Sequence, residues 1–161
     1  MRRFFCSAIL LLGCASAPAA APRASTLPVA KLTRSDGQEE SLKAALAGSV
    51  AVIDLWATWC TACEQERPKL ERLHAAYGTQ GLRVLGLNVG EARDIVSAYL
   101  AKNRVSYPIY LDPDFGLADA LGERRLPVLL VVDRQGRIVR RSPTLDAETL
   151  ALIKSQLVSG R

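Results

Sequence analysis

Ligands for metal ions are scarce in this 161-residue sequence, which contains one histidine, one methionine and four cysteines. Cys6 and Cys14 lie close to the amino terminus, so a folded domain that follows them retains only Cys60, Cys63 and His74 as soft ligands. A zinc or iron–sulfur site built on a Cys-x-x-Cys pair needs two further ligands, and copper would want methionine or histidine. The sequence therefore predicts no metal, and it disfavours a metal-binding chaperone.

Clustered positive charge is also missing. The formal net charge is +5, from 21 basic and 16 acidic side chains. Arg2, Arg3 and Arg23 contribute three of these charges, and without them 18 basic side chains face 16 acidic ones. No stripe of lysine and arginine alternates with aromatic residues, which make up only 6% of the chain. A nucleic-acid partner is therefore not expected.

Long hydrophobic runs are limited to the amino terminus. Met1–Arg3 is a short basic stretch, and the apolar segment Phe4–Leu12 that follows is much shorter than the ~20 residues that span a bilayer. This pattern is typical of an export signal that is later removed. Residues 1–24 are therefore predicted to be an export segment and tether, and residues 25–161 the folded domain.

Two kinds of processing fit this leader. Leu11-Leu12-Gly13-Cys14 resembles a bacterial lipobox, in which Cys14 would be lipidated and become the mature amino terminus. Ordinary cleavage within Ala15–Ala24 is the alternative. In both cases the alanine- and proline-rich segment Ala15–Ser25 is predicted to be a disordered tether, and the protein is predicted to be periplasmic or attached to the cell envelope.

The rest of the chain alternates strand and helix patterns, which predicts an α/β layered domain. The predicted strands are Leu27–Thr33, Val50–Trp56, Leu82–Val89, Ser106–Leu111, Val128–Asp133 and Arg137–Arg141. The predicted helices are Glu39–Ala47, Thr61–Tyr77 with Gly78 as its stop, Glu91–Asn103, Asp114–Leu121, and Asp146–Val158 with Asp146 as its N-cap.

The cysteine pair lies in WATWCTACEQERP, residues 56–68, where a buried strand gives way to a helix. At the start of a helix, free backbone N–H groups and the helix dipole favour a thiolate at Cys60. Cys63 lies one turn further along and could attack a mixed disulfide. A metal clamp and a purely structural disulfide are the alternatives, but this position favours a disulfide that is made and broken.

A carboxylate occurs where an apolar residue is expected. Period-two alternation places Asp54 with Val52 and Trp56 on one face of a buried strand. Burial should raise the pKa of Asp54, and such a group could take the proton of Cys63 as a general base. The alternative is an aspartate near the strand end that reaches solvent or a lysine.

Together these residues resemble the thioredoxin superfamily, and within it the exported TlpA/ResA/DsbE-type branch, over about residues 27–157. The likeness is carried by Trp56–Cys63, by Glu66 and Pro68 after it, and by Pro127, which matches the family's cis-proline. Residues 87–89 and 107–112 resemble the central insert of the branch. The resemblance implies a thioredoxin fold, a central mixed sheet flanked by helices, with an amino-terminal extension and this insert.

The resemblance also implies a thiol–disulfide oxidoreductase, usually a periplasmic reductant and often one that supports cytochrome c maturation. Cys60 would be the nucleophile, Cys63 the resolving thiol and Glu66 an acid beside them, although an acid in the first helical turns is also favourable with the dipole. Substrate contacts would come from Trp59, Thr61, Ala62, Leu126 and Pro127. The disulfide would be the only redox group, electrons would come from a membrane thiol donor, substrates would be exported proteins such as apocytochrome c, and the protein would be a monomer.

Three departures from the family pattern limit these expectations. Thr61-Ala62 replaces a dipeptide that commonly contains proline, so the reduction potential cannot be assigned, and an oxidant or isomerase stays open. Asp54 stands where the branch often has asparagine. Arg124-Arg125 replaces a glycine-containing loop, and these side chains either favour an acidic partner or are simply solvated.

Overall fold

The computed structural model describes residues 23–159, which fold around one mixed sheet. Its strands are β1 (Lys31–Arg34), β2 (Glu39–Ser41), β3 (Val50–Trp56), β4 (Leu82–Val89), β5 (Ile109–Asp112), β6 (Val128–Val132) and β7 (Ile138–Ser142). Its helices are α1 (Leu42–Leu46), α2 (Thr61–Tyr77), α3 (Arg93–Lys102), α4 (Gly116–Leu121) and α5 (Ala147–Val158), with a 3₁₀ turn at Gly78–Gln80.

The sheet has the strand order β2-β1-β5-β4-β3-β6-β7. β3 pairs in parallel with β4, β4 pairs in parallel with β5, and the remaining pairs are antiparallel. Every residue of β3 is buried, as expected for a strand covered by helices on both faces. Alternate residues of β3 therefore enter two separate cores.

Each face of the sheet has its own hydrophobic core. Ala51, Ile53 and Leu55 of β3 pack in a cluster with residues of α1 and α4. Val52 and Trp56 point the other way, into a cluster that contains residues of α2, α3 and α5 as well as both cysteines of the Cys-x-x-Cys pair. The cysteines are thus part of the second core.

The predicted thioredoxin fold with two additions is confirmed. One addition is the β1–β2 hairpin at the amino-terminal side, and the other is the α3–β5 unit between β4 and α4. The two additions meet, because β1 pairs with β5 through Thr33 opposite Leu111 and Arg34 opposite Tyr110. Together they extend the sheet beyond β4.

The prediction for the first fifty residues was wrong in two places. The predicted strand Leu27–Thr33 begins only at Lys31, and the predicted helix Glu39–Ala47 is divided into strand β2 and the short helix α1. The division has a local cause, because the Ser41 side chain accepts a hydrogen bond from the backbone N of Ala44 at 3.1 Å and so starts α1 there. The residues before Ser41 pair with β1 instead.

The end of the predicted tether is attached to the fold. The backbone oxygen of Ser25 accepts a hydrogen bond from the N of Ile138 at 2.8 Å, and Thr26 forms an isolated bridge with Arg137. Residues 24–26 therefore lie alongside β7. The prediction of a disordered segment was wrong for Ala24 and Ser25. The remainder of the predicted export segment, including Cys14, lies outside the described residues.

The predicted ends of α5 and α2 are confirmed. Asp146 is the N-cap of α5, where its Oδ1 accepts a hydrogen bond from the N of Thr149 at 2.7 Å. α2 ends at Tyr77 with Gly78 as its C-cap, which stays right-handed (φ −56°), and the chain continues as a 3₁₀ turn. The left-handed residue that ends this turn is Gly81, with φ 93°.

Candidate active site around the Cys60–Cys63 disulfide

The cysteine pair forms a disulfide at the start of α2, with a Cα–Cα distance of 5.3 Å. Cys60 is the N-cap residue, and its sulfur accepts a hydrogen bond from the backbone N of Cys63 at 3.2 Å. Both cysteines are buried. In the reduced protein this N–H group and the positive end of the helix dipole would favour a thiolate at Cys60 over one at Cys63.

Residues predicted to contact substrate surround the disulfide on two sides. Trp59 is 69% exposed, and Thr61 and Ala62 are also exposed. The Leu126–Pro127 peptide bond is cis, as predicted. Because β6 runs antiparallel to β3 with Val128 opposite Leu55, this bond lies at the carboxyl end of β3, where the chain leads into the disulfide. Leu126 packs against the core cluster that contains both cysteines.

Asp54 is only 3% exposed, and within residues 23–159 its Oδ1 atom has no hydrogen-bond partner. Burial is the largest influence on this carboxyl group, followed by the negative charge of Glu66, and together they raise its pKa to about 7. Arg67 acts in the opposite direction. Asp54 is therefore a buried carboxyl group, as its place on β3 predicted, whereas its role as a base stays a prediction.

Glu66 is equally buried but is held by hydrogen bonds. Its Oε1 accepts from Lys69 Nζ and from Thr144 Oγ1, both at 2.7 Å, and its Oε2 accepts from the backbone N of Leu145 at 2.8 Å. Burial alone would raise the pKa of Glu66, but these donors and the Lys69 charge outweigh it and lower the pKa. Glu66 thus ties α2 to the segment after β7 and presents a fixed negative charge to Asp54.

A small cavity lies behind the disulfide. Its lining includes Asp54, Trp56, Cys63, Arg67 and Tyr107, and the volume open to the centre of a water-sized sphere is about 10 Å³. This is close to the lower limit for one water molecule. Asp54 and Cys63 therefore line the same small space, in which a proton could pass between them.

Sequence reasoning missed Glu91, which lies just after β4 and is 7% exposed. Its Oε2 accepts hydrogen bonds from the backbone N of Thr58 and from Asn88 Nδ2, both at 2.7 Å, and its Oε1 accepts from Thr58 Oγ1 at 2.5 Å. Glu91 thereby fixes the loop two residues before Cys60. The predicted helix start at Glu91 was wrong, since α3 begins at Arg93. The polar Asn88 inside a buried strand was the available signal.

The two arginines before the cis-proline are both exposed. Arg124 pairs with Asp119 of α4 at 3.3 Å, and both side chains are largely solvated. This exposed pair contributes little to stability. Whether Arg124 and Arg125 favour an acidic partner stays a prediction.

Within residues 23–159, no group of three or more histidine, cysteine, aspartate or glutamate side chains is placed to hold a metal ion. His74 is half-buried and packs edge-on against the ring of Tyr107, with 6.2 Å between the ring centroids. In the same part of the chain, no helix has both the length and the apolar character needed to cross a membrane.

A disulfide at the start of a helix, beside a cis-proline on the neighbouring strand, defines a thioredoxin-fold protein with a Cys-x-x-Cys site. Sequence comparison agrees, and the chain belongs to the Redoxin family, which matches residues 19–151. The predicted resemblance to the ResA/DsbE-type proteins of the thioredoxin superfamily is confirmed.

Two curated relatives carry the name thiol-disulfide oxidoreductase ResA. The one from Halalkalibacterium halodurans is 32% identical over 95 residues, which are 59% of this chain and 54% of the relative. The one from Geobacillus thermodenitrificans is 31% identical over 114 residues, which are 71% of this chain and 65% of the relative. The chain thus spans between half and two thirds of the length of these relatives.

A solved structure shows the same fold. The thiol:disulfide interchange protein of the thioredoxin family from Chlorobium tepidum superposes with a TM-score of 0.70 and 24% sequence identity. The match covers 86% of this chain and 99% of that structure. At this level of identity the likeness supports the fold alone.

Proposed function

We propose that this protein is a thiol–disulfide oxidoreductase that reduces disulfides of exported proteins by cycling Cys60 and Cys63 between dithiol and disulfide. The observation that carries the proposal is the Cys60–Cys63 disulfide at the start of α2, with Cys60 as the N-cap residue. The ResA relatives add support, since their name states the same reaction class.

The reaction needs no redox group outside the cysteine pair. The Cys60 thiolate attacks one sulfur of a substrate disulfide, which forms a mixed disulfide and releases the other substrate sulfur as a thiolate that takes up a proton. The Cys63 thiol then loses its proton and attacks the Cys60 sulfur, so that the second substrate sulfur leaves and is protonated. Two electrons pass from the cysteine pair to the substrate, and the enzyme becomes the disulfide.

Asp54 is proposed to accept the Cys63 proton in the second step. It shares the cavity with Cys63, and its pKa of about 7 suits a base that works near neutral pH. The proton then passes to the departing substrate thiolate or to solvent. Glu66 is proposed to act through Asp54, because its charge helps to keep the Asp54 pKa high.

Exposed groups on both sides of the disulfide are proposed to bind the substrate peptide. Trp59, Thr61 and Ala62 would contact it from the start of α2, and the backbone beside Pro127 would face it from the neighbouring strand. Proline has no backbone N–H, so its neighbours are left to pair with an extended peptide.

The cellular setting is part of the proposal. The leader-like sequence at residues 1–24 supports export to the periplasm or cell envelope, with a lipid on Cys14 as the tether. In that setting a membrane thiol donor would regenerate the dithiol, and apocytochrome c is one candidate substrate. We expect the protein to work as a monomer without metal or organic cofactor.

An oxidant or isomerase of the same fold is the second candidate, which the Thr61-Ala62 dipeptide leaves open because it lacks the proline common in thioredoxins and many of their relatives. For this two-electron couple, ~30 mV corresponds to about 1.4 kcal/mol. Equilibration of the purified protein with glutathione at defined ratios would measure the potential. A strongly reducing value would support the reductant, and a value near those of known oxidants would support the alternative.

Trapping the partners tests the central proposal. Cys60→Ser should abolish the reduction of a model disulfide substrate, while Cys63→Ser should accumulate mixed disulfides with natural partners, separable on non-reducing gels and identifiable by mass spectrometry. The double variant is the control and should trap nothing. Full activity of Cys60→Ser together with an empty trap for Cys63→Ser would contradict the proposal.

A further inference from the structure

Arg67 lies on α2 one turn after Cys63, and it lines the cavity that holds Asp54 and Cys63. Residues four apart on a helix share a face, so this charged side chain is directed toward the cavity, and the residue as a whole is half-buried. Its guanidinium carbon lies 5.2 Å from the centre of the Tyr99 ring. The aromatic ring thus holds the cation in place over the cavity.

Three residues that line this cavity each have a buried polar atom without a hydrogen-bond partner in residues 23–159. These atoms are Nη1 of Arg67, Oδ1 of Asp54 and Nε1 of Trp56. Buried polar atoms without partners are unfavourable singly, but Arg67 and Asp54 carry opposite charges and line the same small space. Their arrangement is the one expected of a cation that stabilises an ionised carboxylate across a gap or through one water molecule.

The neighbouring strand cannot supply this cation. Gly86 of β4 is directly opposite Asp54 in the sheet, so a side chain there would point to the same face. A Cβ at position 86 would lie 2.4 Å from Ile109 Cδ1 and 3.1 Å from Trp56 Nε1. Because the space beside Gly86 is filled, β4 brings no positive charge to Asp54, and the cation that lines the cavity comes from α2.

We propose that Arg67 is a positioning residue for the exchange reaction: from its place in the cavity, its guanidinium group keeps Asp54 able to ionise beside Cys63. The inference deepens the proposed function and rests on Asp54 as the base that serves Cys63. It concerns the electrostatics of the site and assigns Arg67 no contact with substrate.

The other groups that face Asp54 make Arg67 necessary. Glu66 of α2 brings a negative charge, and Lys69 is hydrogen-bonded to Glu66 instead of to Asp54. From the insert, Tyr99 and Tyr107 present hydroxyl groups, and burial raises the pKa of each. Glu64, a further cavity residue, accepts a hydrogen bond from the Tyr99 hydroxyl at 2.9 Å. Without Arg67, the charges that face Asp54 would be negative.

The test compares Arg67→Met with Arg72→Met in the oxidised protein. Arg72 is exposed on the same helix and borders a separate outer groove next to α5, so its loss removes the same charge without touching the cavity. The Asp54 carboxyl carbon is titrated by NMR. We expect the pKa of Asp54 to rise from about 7 by about one pH unit in Arg67→Met, and to stay the same in Arg72→Met.

Kinetics give the second readout. If the Asp54 pKa rises by about one pH unit, the ionised fraction at pH 7 falls about fivefold, so the decay of a preformed mixed disulfide should slow about fivefold at pH 7 and recover above pH 9. Arg67→Lys should restore part of the rate. If Arg67→Met fails to fold, Arg67→Gln provides the neutral variant.

An unchanged Asp54 titration in the folded neutral variant would overturn the inference. So would equal slowing at all pH values, which is the result expected of a merely structural residue. The titration needs no turnover, so it distinguishes the two proposals. If the wild-type protein exchanged no disulfides, the proposed function would fail while the effect of Arg67 on Asp54 could still be measured.

Discussion

Two carboxylates near the disulfide are almost equally buried, yet their pKa values move in opposite directions. Asp54 is 3% exposed and Glu66 is 5% exposed. Burial raises the pKa of Asp54 to about 7, whereas hydrogen bonds overcome the effect of burial at Glu66 and lower its pKa. A low exposed fraction alone therefore does not decide which group is charged.

The difference lies in the depth of each group, since Asp54 is deeper in the interior, and in the donors around it. Glu66 accepts hydrogen bonds from Lys69, Thr144 and the backbone of Leu145, which replace the water it loses. Asp54 Oδ1 accepts none from residues 23–159. A carboxylate with donors becomes a fixed charge that ties two segments together, and one without them becomes a group that titrates near neutral pH. Only the second kind is suited to proton transfer.

The largest effect is expected from Asp54→Asn. A pKa raised from 3.8 to about 7 means that the folded state binds the proton more tightly than the unfolded state, so stability falls as pH rises from about 4 to about 7. At about 1.4 kcal/mol per pKa unit, Asp54→Asn should increase the free energy of unfolding at pH 8 by up to about 4 kcal/mol and change little near pH 3.5.

Denaturant unfolding of the oxidised protein at both pH values measures this, with exposed Asp114→Asn as the control. The same variant should slow the resolving step at pH 7 about a hundredfold, with a smaller effect on the first attack. Equal stability of variant and wild type at pH 8 would show that folding does not raise the pKa of Asp54.

Glu66→Gln should have a smaller and opposite effect on stability. The folded pKa of Glu66 is depressed, so its contribution to stability is present above about pH 4.5 and is lost as pH falls through the folded pKa. The amide cannot accept from all three donors, and we expect a loss of about 1–3 kcal/mol at pH 7.

Removing the Glu66 charge should also lower the pKa of Asp54, since that charge helps to raise it. NMR titration of Asp54 in the Glu66→Gln variant measures this effect. An unshifted Asp54 pKa would mean that the two carboxylates are independent, and Glu66 would then be a structural residue only.

The sequence was sufficient for the parts of this site that depend on local pattern. The bounds of β3, α2 and β4 are as predicted, because each is a long apolar or amphipathic run with clear ends. The burial of Asp54 followed from alternation along β3. Strand β2 was mistaken for the start of a helix because residues 39–47 are helix formers by composition, whereas pairing with the neighbouring strand β1 makes residues 39–41 extended.

Contacts between distant residues could not be predicted in this way. Glu91 reaches Thr58 across 33 residues, and Glu66 reaches Leu145 across 79. Arg67 stands in a charged stretch, Glu64–Lys69, where a solvated side chain is the usual expectation, and only the packing of α2 against β3 directs it inward. The charge state of the site therefore depends on tertiary contacts, which hydrophobic periodicity and composition do not reveal.

The smallest effect is expected from Thr144→Val. This variant also tests most directly whether the two carboxylates titrate independently. This change removes one neutral donor to Glu66 Oε1, together with the hydroxyl that accepts from Lys69 Nζ at 3.1 Å, and keeps the shape of the side chain. The pKa of Glu66 should rise toward its ordinary value, and the free energy of unfolding at pH 7 should fall by about 1 kcal/mol. The same replacement at exposed Thr79 controls for the change in side chain.

Because Thr144 bonds to Glu66 and leaves the Glu66 charge in place, the titration of Asp54 should not change. A shifted Asp54 pKa in Thr144→Val would mean that the donors around Glu66 act on Asp54 as well, and the two groups would then have to be treated as one coupled pair.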